Sequence, residues 1–416
     1  MPPVELVVAW LTMFLVGTEL FVLSPLLPML AADYKISTTT AGLAVTSFSS
    51  SYMVSAPLFG YFADRIGRRR VVICSLFAFS AANLLTSLAS NWLCLLATRL
   101  FAGAASAGVS SSIYALVAGA APPDRRASWL AVVVSGLLVS LTVGAPTGAL
   151  CSAFFGWEPL FLAFAILSSA LAWLNCRVWG FDSHRRFSAG GRPPEPLIPL
   201  VLVGRLIPMI MWSTSLYSVY TYLGAGLVAA GFSTQQTAQA ILFYGCGAIA
   251  GVLTGGYLAD RLGAKFTSKA SLAGLCVCLL LLRLALDTSR LVELALGLSS
   301  AVAQLFFPAQ QAGLANDFPN QSGAALAWNN SALFLGISLG SLVGGQVVAV
   351  GNFDDTLTIS AGIALVGCII SAIVVPGSRS RLFENTKTCS GVPQYSGSPL
   401  RRALGARDTP TLGGRG

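Results

Sequence analysis

The chain has 416 residues, 55% of them apolar or aromatic and only 10% charged, and its mean hydropathy is +0.74. Soluble domains carry roughly 25% charged residues, so a soluble enzyme or nucleic-acid-binding domain is excluded and a polytopic membrane protein is expected. The formal charge of +9 then bears on where Lys and Arg lie along the chain rather than on affinity for nucleic acid.

The chain turns apolar almost at its first residue, with Glu5 and no basic stretch ahead of it, so no cleaved signal peptide is expected. Apolar runs follow near 6–30, 41–62, 71–90, 92–119, 127–151 and 157–180, then near 199–229, 236–258, 267–286, 288–314, 323–350 and 355–376. Each is long enough to cross a bilayer, which needs about 20 apolar residues. Pro25, Pro28, Pro57, Pro146, Pro208 and Pro308 fall inside these runs, where neighbouring membrane helices can satisfy the freed backbone groups. The expected fold is all-α integral membrane: twelve transmembrane helices in two six-helix bundles, residues 1–180 and 199–376. The polar Gly/Pro/Arg-rich stretch 181–198 reads as a cytoplasmic connector between them. The Ser-, Gly-, Pro- and Arg-rich segment 377–416 cannot bury enough surface to fold and is expected to be a disordered tail.

Of 25 Lys and Arg residues, 21 lie in the loops after even-numbered runs, in the run ends that border those loops, or in the tail. Lys35, Arg283 and Arg290 lie on the opposite side, and Arg99 sits inside the fourth run. Positive juxtamembrane charge stays in the cytoplasm, so both termini are expected there. One His, His184 in the connector, and nine scattered Cys offer neither zinc spacing nor a disulfide framework, so no metal, cofactor or catalytic constellation is expected.

The second half repeats the first in one register. Residues 60–67 read GYFADRIG and 256–263 read GYLADRLG, six of eight identical, with Asp260 following Asp64 by 196 positions. The same offset pairs Ser37 and Thr38 with Ser233 and Thr234, and Gly144 and Gly148 with Gly340 and Gly344. Six spans is an even number, so two tandem copies enter the membrane from the same side and are related by an axis along its normal.

The single-residue candidates follow from what hydrocarbon penalises. Glu19, halfway along the first run, must be protonated, paired or turned to water, which suits a group that exchanges protons; a permanent bond to a neighbouring helix is the plainer alternative. Arg99 is the other intramembrane charge and could pair with a carboxylate or polar group. Gly136, Gly144, Gly148 and Pro146 allow close approach and bending of the fifth span, and Leu342 opposite Pro146 confines the bend to the first half. Tyr217, Tyr220, Gln304, Phe307, Gln310 and Asn329 are candidate substrate contacts, since aromatics with a few amides suit a moderately apolar organic ligand.

These motifs resemble the major facilitator superfamily, and within it the twelve-span drug:proton antiporter-like exporters. Gly60, Asp64, Arg65, Gly67, Arg68 and Arg69 match the family's loop motif G-x-x-x-D-R-x-G-R-R, and Asp260 with Arg261 forms a weaker copy in which Ala264 stands opposite Arg68. Arg99 through Gly103 is similar to the family's R-x-x-x-G element. Gly136 to Gly148 is similar to its antiporter motif, departing from it at Ala145 and Ala149. Gly17-Thr18-Glu19 followed by Pro28 is similar to the first span of exporters for sugars, purines and related drugs. The resemblance implies a monomeric inner-membrane transporter exchanging a small organic substrate for protons by alternating access. It implies a proton-coupling role for Glu19 and Arg99. It also makes the loop around Asp64 a conformational latch favouring the outward-open state. A sugar or organic-acid importer on the same scaffold is the alternative.

Overall fold

The computed structural model describes residues 4–122, 126–180, 200–286, 289–318 and 322–373. The connector 181–198 and the tail 377–416 lie outside the described residues, as does the side chain of Asp64. In the first half, α1 (Val4–Asp33) is followed by a single turn α2 (Thr38–Ala41), α3 (Leu43–Ile66), α4 (Arg68–Ser87) and α5 (Trp92–Ala120). The fifth span is α6 (Arg126–Val139), a π-helical turn (Ser140–Gly144) and α7 (Ala145–Phe155), and the sixth is α8 (Trp157–Val178). The second half runs α9 (Leu200–Ala229), α10 (Thr234–Leu262), α11 (Ala264–Ala285), α12 (Ser289–Gln304) with α13 (Phe306–Asp317), α14 (Ser322–Val350) and α15 (Phe353–Ile373). Among the described residues, ten segments are long and apolar enough to cross a membrane. The other two spans, α3 and α9, carry the hydroxyl-rich runs around Ser49 and Ser215.

The repeat is visible helix by helix. α1 and α9 begin and end 196 positions apart, and so do the starts of α2 and α10, α4 and α11, α6 and α14, and α8 and α15. The caps repeat too. Ser37 accepts from the Thr40 backbone N–H at 3.0 Å, and Ser233 forms a full capping box with Gln236. The turns from α3 to α4 and from α10 to α11 both pivot on a glycine with positive φ, Gly67 at 110° and Gly263 at 90°, a conformation that a Cβ disfavours.

The close approach of the first and fifth spans recurs between the seventh and eleventh, where backbone atoms lie nearest Gly340 and Gly344. The space a Cβ would need at Gly144 is filled by Thr18, and at Gly340 by Thr214. Val22 fills the same space at Gly148 and Ser218 at Gly344. One contact is inverted: Gly17 gives way to Ser140 in the first half, whereas Gly336 gives way to Ser213 in the second. One small residue suffices at each crossing, whichever helix supplies it, because membrane helices associate through close backbone approach.

The fifth span differs from its copy in being broken. Pro146 has no N–H for the carbonyl of residue 142, and the chain widens into the π-turn just before it, while α14 runs unbroken through Leu342. The π-turn falls in the span where Pro146 and its neighbouring glycines are expected to allow a bend, and α14 has no such turn. The break at Leu305, which divides the tenth span into α12 and α13, had no signal beyond Pro308.

Hydrogen bonds between the halves gather on the side away from the arginine-rich loops. Ser24 donates to the Tyr220 carbonyl, its own counterpart at the 196 offset. The Tyr220 hydroxyl donates to Phe21 O at 3.0 Å, and Ser341 donates to Gly42 O at 2.8 Å. The Tyr222 hydroxyl reaches Ser341 O at 3.0 Å and Thr39 O at 3.4 Å. Nearer the middle, Ser50 and Ser338 share a hydrogen bond of 2.7 Å and the rings of Tyr52 and Phe334 stack at 3.5 Å. None of the residues named in these contacts carries a charge.

Candidate functional site

Glu19 and Arg99 meet. Both side chains are fully buried, and an Arg99 Nη1 hydrogen bond to Glu19 Oε1 closes an ion pair between α1 and α5. Arg99 Nη2 donates to Thr86 Oγ1 at 2.9 Å and to Asn83 Oδ1 at 3.4 Å, both on α4. Its guanidinium carbon lies 4.8 Å from the centroid of the Phe161 ring on α8. The two intramembrane charges singled out from sequence therefore neutralise one another at the junction of four helices, the arrangement that makes charge tolerable in hydrocarbon. Asn83, Thr86 and Phe161 were missed. Their signal was in the register, since the counterparts 196 positions on are Leu279, Leu282 and Leu357, all buried and apolar.

At the arginine-rich end, Arg68 Nη1 donates to Ala115 O at 3.2 Å and Arg69 Nη2 to Cys176 O at 2.6 Å. These arginines tie the start of α4 to carbonyls near the ends of α5 and α8, where the helix dipoles are negative. Arg65 is exposed, and nothing lies within contact of a Cβ placed on Gly60. In the second half, Arg261 stacks its guanidinium over Tyr257 at 4.8 Å, and Asp260 is exposed beside it. The ion pair on this side of the second half lies elsewhere: Asp317, the last residue of α13, pairs with Arg205 of α9 and with Lys265 of α11 at 3.7 Å. Lys265 is the repeat counterpart of Arg69. Arg205 lies within the apolar run 199–229, and that position is the sequence signal that it needs a partner.

The candidate substrate residues do not form one cluster. Tyr217 and Tyr220 lie edge to face at 6.1 Å, and Tyr220 continues to Tyr244 at 5.2 Å. Phe307 packs on Trp212 at 6.3 Å. Gln310 donates to the Arg205 carbonyl at 2.7 Å, so its amide ties α13 to α9. Gln304 is buried at the end of α12. Asn329 is fully buried, has no hydrogen-bond partner among the described residues, and shares the α14 face of Gly336 and Gly340 that α9 covers. Gly136 packs on the α1 backbone at Trp10, and Gly144, Pro146 and Gly148 are buried beside the π-turn.

The sequence profile of the Major Facilitator Superfamily matches residues 9–289 and 201–404. The chain belongs to the major facilitator superfamily. This facilitator is 28% identical to the uncharacterized MFS-type transporter YbcL of Bacillus subtilis (strain 168), over 80% of this chain and 86% of that one. It is 27% identical to a chloramphenicol resistance protein of Streptomyces lividans over 61% of this chain and 66% of that one. Its fold is shared with a bacterial homologue of the human lysosomal transporter Spinster in an inward-facing, occupied conformation, with a TM-score of 0.72, 13% identity and coverage of 91% and 97%. The human organic anion transporter MFSD10 has the same fold at a TM-score of 0.66 and 21% identity, covering 89% of this facilitator and 100% of that chain. The protein is a membrane-integral transporter.

Proposed function

We propose that this facilitator exports small organic molecules in exchange for protons, by alternating access of residues 1–180 against residues 199–376. Glu19 is the group that takes up and releases the proton, and Arg99 is its counter-ion. The observation that carries this reading is the one-sidedness of the buried pair. The second half builds the same helices in the same register with Ser215 and Ala295 at the corresponding positions, so the scaffold does not need the charges. Buried ion pairs rarely add net stability, so a pair confined to one of two equivalent bundles is better accounted for by function.

Similarity to a chloramphenicol resistance protein supports efflux as the direction and makes chloramphenicol the first substrate to try. Tyr217, Tyr220 and Phe307 suit a neutral aromatic ligand, and the uncharged contacts between the halves suit an opening driven by the pair rather than by the gate itself. The loop from Gly60 to Arg69 acts as a latch on the arginine-rich side, with Asp260 and Arg261 in a lesser role. Gly136, Gly144, Pro146 and Gly148 provide the pliable fifth span. The distribution of Lys and Arg supports cytoplasmic termini, and the resemblance supports a monomer in the inner membrane.

The test is a substrate panel headed by chloramphenicol, assayed in proteoliposomes with an imposed pH gradient. Gradient-driven transport should be lost in Glu19→Gln while counterflow without a gradient persists. Full gradient-driven transport by Glu19→Gln would overturn the proton assignment. In cells, collapsing the proton gradient should raise substrate accumulation; a fall would instead establish an importer.

A further inference from the structure

We infer that Thr86 and Phe161 are positioning residues that keep the Arg99 guanidinium on α4 and α8 when Glu19 takes up a proton, so that protonation frees α1 alone. This rests on the proposed role of Glu19 as the proton-accepting group.

Arg99 has two separable sets of partners. One is the Glu19 carboxylate on α1. The other is the Thr86 hydroxyl at 2.9 Å and the Asn83 amide oxygen at 3.4 Å on α4, with the Phe161 ring face at 4.8 Å on α8. The second set is itself fixed. The Thr86 hydroxyl hydrogen can go to Ala82 O at 2.8 Å or Thr98 Oγ1 at 2.9 Å, leaving lone pairs for the guanidinium. Asn83 Nδ2 donates to Phe79 O at 2.9 Å, which turns its oxygen toward Arg99. An aromatic face attracts a guanidinium most strongly where water is excluded. When a proton from the aqueous phase neutralises the carboxylate, the charge left on Arg99 still has two oxygens and a ring, all on helices other than α1.

The repeat supports treating these residues as one unit. Their counterparts Leu279, Leu282 and Leu357 accompany Ala295 and Ser215, so every member of the set is exchanged together where the ion pair is absent. Leu279, Leu282 and Leu357 are 2%, 1% and 0% exposed, which shows that the scaffold packs well with leucine at all three positions. The released helix is one of those that touch the other half, through Ser24 and Phe21 against Tyr220. Arg99 is the charged side chain that interacts with Glu19. The other charged residues on helices packed against α1 lie toward helix ends: Asp64 and Arg65 on α3, Arg126 on α6, Glu158 and Arg177 on α8, and Arg205 on α9.

The experiment is hydrogen–deuterium exchange on the purified full-length protein at pH 5.5 and pH 8, corrected for the intrinsic pH dependence of exchange. In the unaltered protein, low pH should speed exchange in the middle of α1 at least about threefold and leave α4 and α5 unchanged. In Phe161→Leu and Thr86→Val, which import the side-chain character of the second half, the low-pH increase should spread to α4 and α5. Phe161→Tyr and Thr86→Ser should restore the unaltered pattern, which a packing role alone would not require. A low-pH pattern in Phe161→Leu and Thr86→Val identical to the unaltered protein would overturn the positioning role. A pH response of α1 that survives in Glu19→Gln, or that is missing from the unaltered protein, would instead overturn the proton assignment beneath it.

Discussion

The first-half bundle and the second-half bundle share one register of 196 residues, with α1 and α9 equal in length and N-caps at Ser37 and Ser233, yet they hold different things at their centres. Around Arg99 the first half gathers Glu19, Asn83, Thr86 and Phe161. At those places the second half has Ala295, Ser215, Leu279, Leu282 and Leu357, and Ser215 simply donates to Ser360 O at 2.8 Å. The ion pair of the second half sits at its rim instead, where Arg205, Asp317 and Lys265 join three helix ends and Asp317 keeps 19% exposure. One backbone plan thus tolerates either an apolar or an ionic centre. What distinguishes the halves is where each places its opposite charges relative to water.

The harshest way to break this comparison is to remove one charge from the buried pair. Arg99→Ala should cost about 3–5 kcal/mol by leaving the Glu19 carboxylate uncompensated. The double variant Glu19→Gln with Arg99→Met should lose much less, and thermal unfolding in detergent reads both. A double variant as unstable as the single one would mean that the first-half bundle, unlike its copy, depends on the pair. A smaller effect is expected from the inverted contact. Gly17→Ser would force its Cβ into Ser140 and should cost about 1–3 kcal/mol, as overpacking does. Adding Ser140→Gly recreates the Ser213 and Gly336 arrangement of the second half and should recover most of the loss, a coupling visible in a double-mutant cycle. If the second change recovers nothing, the two seams are alike only in outline.

At the rim, Asp317→Asn should cost about 1 kcal/mol, since solvent already screens part of the interaction with Lys265. Its loss should diminish in 1 M salt, whereas that of Arg99→Ala should not, because a buried pair is poorly screened. Smallest of all, Arg261→Ala removes an exposed stack on Tyr257 and should change stability by about 0.5 kcal/mol or less. A large transport defect in that variant would support the proposed latch role of the second-half loop beyond its contribution to stability.

Much of this was legible because hydrocarbon imposes simple rules. Apolar runs of about 20 residues mark the helices, and the GYFADRIG and GYLADRLG loops fix the 196-residue register of the two halves. Glu19 and Arg99 stood out because an intramembrane charge needs a reason. The substrate candidates were less legible: Gln310 is spent on the Arg205 carbonyl and Asn329 lies on the face covered by α9, uses that residue type alone does not reveal.

Sequence alone determined the class of protein, the number of spans, the duplication and the two charges that had to be explained, since each follows from the cost of exposing polar atoms to lipid. The tertiary structure decided that Glu19 and Arg99 answer one another, that Thr86 and Phe161 share Arg99, and that Asp317 rather than Asp260 binds the second-half rim. Those outcomes depend on which faces of different helices meet. Helical periodicity places a side chain on a face, and only packing chooses the neighbour that the face receives.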